Sequence, residues 1–212
     1  MKLTTGIVSG ICAAVLLCAP AHAGIILSIQ PSTVMVSPGD IGDSFDVVLD
    51  NTGPSSVSVA QFSFEVSAAS SAITLTSADF STVLPYIFAG DSFDVINSFA
   101  LNTTSGQTLD GSDLTNDSAN VTILSGHSFG LGHVLFNVAG NATAGPVAIT
   151  FTGGSNSNNL SDNAENLVTI DTLTPGSIDI SAVPEPAAFG LVGVALFLLG
   201  GFRHARGGIV KR

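Results

Sequence analysis

Basic residues are almost absent from this chain. Only five lysines and arginines occur in 212 residues, and all five lie near the ends, at Lys2, Arg203, Arg206, Lys211 and Arg212. Fifteen of the sixteen acidic residues lie between Gly24 and Val183, so that segment has a formal charge of −15 with histidine neutral. Such a segment has nothing with which to neutralise phosphates, which excludes nucleic-acid binding. It also cannot form a Lys or Arg ion pair, so each acid must be solvated, hydrogen-bonded or bound to a cation.

Cysteine and large aromatic residues are equally scarce. The two cysteines, Cys12 and Cys18, both lie in the first 23 residues, and the chain has no tryptophan and one tyrosine, Tyr86. Once those 23 residues are removed, no disulfide, thiol nucleophile or cysteine-bound metal remains. Sugar-binding proteins usually stack pyranose rings on exposed Trp or Tyr, so the composition counts against a strong carbohydrate-binding site.

The N-terminus has the three parts of a secretory signal peptide. Lys2 supplies positive charge, residues 7–19 are apolar, and Ala21-His22-Ala23 is a small-x-small cleavage site. We predict a signal peptide over residues 1–23, with cleavage between Ala23 and Gly24. The alternative, an uncleaved anchor, is disfavoured by the short apolar run.

The C-terminus combines a rigid motif, an apolar run and a basic tail. Val183-Pro184-Glu185-Pro186 precedes sixteen uncharged residues, 187–202, and Arg203 and Arg206 follow. As a helix this run spans about 24 Å, against a hydrocarbon core of about 30 Å. The basic tail favours a cytoplasmic end for this predicted transmembrane helix.

These three parts, in this order over residues 183–212, resemble the PEP-CTERM sorting signal of Gram-negative bacteria that make exopolysaccharide. The resemblance implies recognition by an exosortase-type membrane enzyme, transient membrane insertion, and delivery to the cell surface or extracellular matrix. An ordinary single-pass anchor is the alternative.

Alternating apolar and polar residues predict half-buried β-strands between the two ends. Short turn signals separate these runs, and ten phenylalanines spread through the segment argue against disorder. We predict one all-β domain over residues 24–182, an antiparallel jelly-roll-type β-sandwich. Eight to ten strands are expected, with a short helical turn at 77–84 and two long polar loops at 102–119 and 153–166. The strands are predicted around Phe45–Leu49, Phe62–Val66, Val134–Val138, Val147–Phe151 and Ile178–Ile180, and at 25–30, 33–36, 93–101, 120–125 and 167–170.

Several of these strands resemble those of cohesin domains. The matching stretches are Ile29–Ser32 with Val36–Asp40, Phe45–Asn51, Val59–Val66, Leu131–Val138, the Gly145-Pro146 turn and Gly176–Ile180. Cohesins are jelly-roll sandwiches that bind dockerins, so the resemblance implies a cohesin-like fold. No dockerin-contact motif is present, so it does not carry partner binding to this chain.

One motif and two histidines suggest chemistry that their context does not support. Gly126–Gly130 matches the G-x-S-x-G elbow of serine hydrolases. The elbow requires a helix after Ser128 and an Asp and then a His downstream, whereas strand-like alternation follows here. A loop between strands is therefore predicted. His127 and His133 fit no strong metal-binding spacing, and partly exposed histidines are expected.

The polar loop at 102–119 is the best candidate for a metal. Asp110, Asp113, Asn116 and Asp117 supply the oxygen ligands that calcium prefers. Gly111 directly follows the first Asp, which departs from the EF-hand order, and a solvated loop is the alternative. A weaker hypothesis places calcium on the loop at 156–166, which carries Asp162 and Glu165.

The sequence therefore predicts an exported, non-enzymatic module with a structural or adhesive role at the cell surface. The partner would be another surface protein or a polysaccharide. The alternative hypothesis is weak, calcium-assisted binding of exopolysaccharide.

Overall fold

The computed structural model describes residues 24–93, 99–102, 106–153 and 157–182, with only the backbone given for 99–102. The described part is all-β, and no helix in it is long and apolar enough to cross a membrane. The predicted signal peptide with Ala21 and Ala23, the sorting motif and the helix at 187–202 lie outside the described residues. The strands are β1 Ile25–Gln30, β2 Thr33–Val36, β3 Ile41–Asn51, β4 Val57–Val59, β5 Gln61–Ala68, β6 Ile73–Asp79, β7 Phe99–Asn102, β8 Thr108–Leu114, β9 Val121–Ile123, β10 Ser128–Val138, β11 Gly145–Phe151, β12 Asn159–Ser161, β13 Leu167–Val168, β14 Ile170–Thr174 and β15 Gly176–Ile180.

Two large sheets pack face to face. The first has the order β14-β1-β3-β10-β6. The second is built around β5, which pairs with β8 on one edge and with β12 and β11 on the other. β7 extends this sheet beyond β8, β13 extends it beyond β12, and β15 and β2 extend it beyond β11. A two-stranded sheet of β4 and β9 completes the described topology.

The first and last strands cross between the sheets side by side. The chain leaves the first sheet after β1 and joins the second in β2, and β14 and β15 make the same change around Pro175. β1 therefore runs parallel to β14, and β2 runs parallel to β15. The prediction of a purely antiparallel sandwich was wrong at these two pairs, because two strands that cross together in one direction must pair in parallel.

The core lies between the sheets and follows the alternation in the sequence. In β5, Phe62, Phe64, Val66 and Ala68 are buried while the residues between them are partly exposed. Phe45 and Phe136 bring the first sheet to the same core, with ring centroids 6.1 Å apart. This packing confirms the predicted all-β sandwich.

β6, β8 and β12 were not predicted as strands. The short helical turn predicted at 77–84 was wrong, since β6 extends to Asp79. The loop predicted at 102–119 contains β8, and the loop at 153–166 contains β12. The core side of β8 carries Leu109, Gly111 and Asp113, which do not read as an apolar face.

Gly111 is required because an aromatic ring fills the space above it. A Cβ added there would lie 2.3 Å from the ring of Phe64, its partner across the β5–β8 pair. A side chain at this position would force Phe64 out of its place in the core.

We expect Gly111→Ala to lower the free energy of unfolding by about 2 kcal/mol through overpacking. Gly140→Ala is the matched control, because nothing lies within 4 Å of a Cβ at Gly140. Both variants lose the same unfolded-state entropy of glycine, so their difference isolates the steric effect. Urea unfolding followed by circular dichroism measures it, and equal stabilities for the two variants would contradict the prediction.

Candidate functional site

The outer side of β5 and β8 is a mostly polar sheet face. On β5 it presents Gln61, Ser63, Glu65 and Ser67, because these alternate with the buried apolar residues. Their partners on β8 are Leu114, Ser112, Asp110 and Thr108. We call the outer side chains of β8, β5, β12 and β13, together with Phe93, the β5–β8 face.

Two acids lie opposite each other on this face. Glu65 pairs with Asp110 across the strands, and their carboxyl groups are hydrogen-bonded to each other. Burial, the charge of Glu65 and this hydrogen bond together raise the pKa of Asp110 above its usual value. Thr152 donates a second hydrogen bond to Glu65, with 2.6 Å between Oγ1 and Oε1. Like charges in this position repel, so the pair favours a shared proton or an external cationic group.

Exposed apolar side chains cross the same face in one row. Leu114 is 41% exposed and Leu167 is 76% exposed. Gln61 pairs with Leu114 on one side and with Ser161 on the other, and Ser161 pairs with Leu167. Phe93, 61% exposed, extends the row, since its backbone N–H donates to the carbonyl of Leu114 at 2.9 Å. The row lies about 14 Å along β8 from the acidic pair, four residues at 3.4 Å each.

A buried carboxylate holds Phe93 in this row. Asp113, 5% exposed, accepts hydrogen bonds from Tyr86 Oη and Ser92 Oγ, both at 2.6 Å. Burial and the contact with Asp113 raise the pKa of Tyr86. Tyr86 and Ser92 belong to the segment between β6 and β7, so Asp113 ties that segment to β8 and places Phe93 beside Leu114.

The residues predicted to bind calcium are not brought together. Asp110 lies on the outer side of β8 and Asp113 on its core side, because successive side chains of a strand point to opposite faces. Asp117 lies in the exposed loop beyond β8, where its Oδ1 accepts from the N–H of Ala119. Within the described ranges, no three His, Cys, Asp or Glu side chains form a metal-binding group.

Ser128 and the histidines lie in separate surroundings. Ser128 begins β10, and its Oγ donates to Asp50 Oδ1. His127 is exposed in the preceding turn, as expected of a loop between strands. His133 Nδ1 lies 2.7 Å from Asp46 Oδ1 on β3. Neither histidine makes a hydrogen bond with Ser128 in the part of the chain that the structure describes, so no catalytic relay is formed there.

We expect Asp110→Asn to stabilise the fold at neutral pH and not at pH 3. With its pKa raised, Asp110 binds a proton more readily in the folded state than in the unfolded chain. Its stabilising contribution is therefore present below the unfolded pKa of about 3.9 and is lost as pH rises through the folded pKa. The gain at pH 7 should be about 0.5 kcal/mol, since solvent screens part of the repulsion.

Thermal unfolding between pH 3 and pH 8 measures this difference. Asp179→Asn, on β15 of the same sheet, is the control that removes one charge without removing the paired carboxyl groups. Equal gains for both variants at pH 7 would mean that net charge alone, and not the Glu65–Asp110 contact, sets the effect.

Comparison with known proteins identifies structures of similar fold but no relative by sequence. No protein-family model matches the chain, and no curated protein is significantly similar to it. The described fold is similar to solved cohesin structures at low sequence identity.

Three of these structures illustrate the similarity. A complex of CaDoc0917 with CaCohA2, a protein from Clostridium acetobutylicum, matches with a TM-score of 0.56 at 22% identity, covering 74% of this chain and 99% of that one. The sixth cohesin of scaffoldin B from Acetivibrio cellulolyticus, in complex with the Cel5 dockerin, gives 0.55 at 18% identity with coverage of 74% and 99%. The Coh-OlpA–Doc918 complex from Clostridium thermocellum gives 0.55 at 17% identity with coverage of 74% and 99%. The β-sandwich of this chain is a cohesin-like fold.

Proposed function

We propose that this protein is a non-enzymatic binding module that holds a protein partner on its β5–β8 face. The observation that carries the proposal is the row of Phe93, Leu114 and Leu167 on an otherwise polar sheet face. Phe93 and Leu114 are neighbours on this face, and neighbouring exposed apolar side chains rimmed by polar residues mark protein interaction sites. Cohesins of similar fold have been solved in complex with dockerins, which supports a protein as the class of partner.

The charges of the face indicate the chemistry of that partner. Glu65 and Asp110 face each other with no lysine or arginine between residues 24 and 183 to neutralise them. A lysine or arginine of the partner placed between the two carboxylates would offset their repulsion by forming an ion pair. Apolar side chains of the partner would cover Leu114 and its neighbours at the other end of the face.

We further propose that the module works outside the cell, at the surface or in the extracellular matrix of a Gram-negative bacterium. The support is the predicted signal peptide before Gly24 and the resemblance of residues 183–212 to a PEP-CTERM sorting signal. The membrane processing enzyme would be of the exosortase type. In this setting the role would be structural or adhesive.

Binding of exopolysaccharide remains the second hypothesis, and the described geometry does not favour it. Tyr86, the only tyrosine of the chain, is 9% exposed and points into the core. The described face offers a sugar ring the side chain of Phe93 and polar groups, without a tyrosine or tryptophan platform.

Leu114→Arg should weaken partner binding at least tenfold, because it places a bulky charge in the centre of the apolar row. The protein and this variant are expressed in the native host, and surface proteins bound to each are captured and identified. Affinity for the purified partner is then measured by calorimetry. Ile41→Arg, at an 81% exposed position on β3 of the other sheet, is the matched control and should bind normally.

Glu65→Gln tests the ionic part of the same interface. It should weaken binding and reduce its dependence on salt concentration, because one carboxylate would no longer meet the partner's basic group. A partner that binds Leu114→Arg and Ile41→Arg equally well would place the interface elsewhere. A soluble exopolysaccharide that competes with the partner would favour the second hypothesis.

The intact mass of the protein recovered from the native host tests the sorting proposal. We expect a chain that begins at Gly24 and ends near Pro184–Pro186, because both signals are then removed. A mass that extends to Arg212 would mean that the tail is an ordinary anchor, and a mass that includes Met1 would contradict export by signal cleavage.

A further inference from the structure

Gly24, the residue after the predicted cleavage site, packs against the side chain of Asp171 on β14. A Cβ added at Gly24 would lie 1.6 Å from Asp171 Oδ2, so the carboxylate occupies the space that a side chain would need. The same oxygen accepts a hydrogen bond from the N–H of Ile25 at 2.9 Å. Position 24 therefore requires glycine, because a carboxylate is packed directly against its backbone.

The carbonyl group of Gly24 is held by the end of β3. It accepts hydrogen bonds from the N–H of Thr52 at 3.1 Å and from Thr52 Oγ1 at 2.8 Å. Thr52 directly follows the last residue of β3, and β3 and β14 are the two neighbours of β1 in the first sheet. Gly24 is thus fixed by contacts with both strands that flank β1.

These contacts place the backbone nitrogen of Gly24 close to the Asp171 carboxylate. The nitrogen and the Cβ position of one residue are about 2.5 Å apart, as standard backbone bond lengths and angles require. Because that Cβ position is 1.6 Å from Oδ2, the nitrogen lies within about 4 Å of the same oxygen. This is the separation of an ion pair when the nitrogen carries a positive charge.

Signal cleavage would give this nitrogen its charge. Hydrolysis of the Ala23–Gly24 peptide bond adds the hydroxyl of water to the carbonyl carbon of Ala23 and a proton to the nitrogen of Gly24. The resulting α-amine has an ordinary pKa of about 7.7–8.0, so at neutral pH it takes up a further proton from solution. We propose that this ammonium group pairs with Asp171, so that cleavage before Gly24 fastens β1 to β14. This step rests on the signal cleavage included in the proposed function.

The ion pair would act where the first sheet needs support. β14 is the outer strand of this sheet and pairs with β1 in parallel, with a register shift between Ile25 and Ile26. Parallel pairs are slightly less stable per residue than antiparallel pairs. Between Gly24 and Val183 no lysine or arginine is present, so the new ammonium group would supply a cation that the side chains of this segment do not. The mature domain would therefore be more stable than the same domain with the peptide bond to Ala23 intact.

Thermal unfolding of the chain from Gly24 to Arg212, with its N-terminus free or acetylated, tests the ion pair. A removable fusion partner in place of residues 1–23 gives the free form, so the result does not depend on export. Lys211→Arg in every sample leaves the α-amine as the only primary amine, so an amine-selective acetylating reagent modifies that group alone. We expect acetylation to lower Tm by about 2 °C, because it removes an ion pair near the surface. High salt should shrink this difference.

Asp171→Asn separates the ion pair from the simple loss of one positive charge. The amide can still accept the hydrogen bond from the N–H of Ile25 but cannot pair with an ammonium group, so acetylation should change the Tm of this variant little. Asp179→Asn, on β15 of the other sheet, removes an equal charge elsewhere and should keep the full effect of acetylation.

Two results would overturn the proposal. One is an equal effect of acetylation in Asp171→Asn and Asp179→Asn, because net charge alone would then set Tm. The other is no effect of acetylation on the chain that retains Asp171. A failure of cleavage itself is detected separately, by the intact mass of the protein from the native host, so the two failures are distinguishable.

Discussion

Between Gly24 and Val183 the chain has no lysine or arginine, so its most buried carboxylates are held by hydroxyl groups, backbone N–H groups and a histidine. Asp113 is held by Tyr86 and Ser92, Asp46 by the N–H of Val83 and by His133, and Asp50 by Ser128. A hydrogen bond to a charged acceptor is stronger than one between neutral groups. These bonds therefore hold the loops and strands that they join in fixed positions.

Two of these carboxylates, Asp46 and Asp113, hold the segment between β6 and β7. Between β6 and β7, the chain is attached to β3 through Val83 and Asp46, and to β8 through Tyr86, Ser92 and Asp113. Between these attachments, Ile87 and Phe88 enter the core. The segment thus spans from the first sheet to the second, and Phe93 emerges beside Leu114. The apolar row therefore depends on a loop that is held by two carboxylates without a lysine or arginine partner.

The same lack of basic groups shapes the β5–β8 face. It leaves Glu65 and Asp110 opposite each other without a counter-charge, and a partner's basic side chain would relieve their repulsion. On this face the sequence supplies negative charge and leaves the counter-charge to something outside the domain.

The strands with regular alternation could be predicted, and those without it could not. β5 and β10 were recognised because buried apolar residues recur at every second position, Phe62, Phe64 and Val66 in β5 and Val134, Phe136 and Val138 in β10. β8 was predicted to be a loop because its core side carries Gly111 and Asp113. The ring of Phe64 requires a glycine at position 111, and Tyr86 donates a hydrogen bond to Asp113. Both of these partners are distant in the sequence. With β8 taken as a loop, its acids were grouped as one calcium site, although Asp110 and Asp113 face opposite ways.

The sequence alone determined the charge of the domain, its all-β character and the signals predicted at both ends, because composition and local alternation encode them directly. Tertiary structure decided which acids meet, and that Phe93, Leu114 and Leu167 lie in one row. Those relations depend on the register between strands that are distant in sequence. No local pattern specifies such a register, because it is set by how the two sheets close on a shared core.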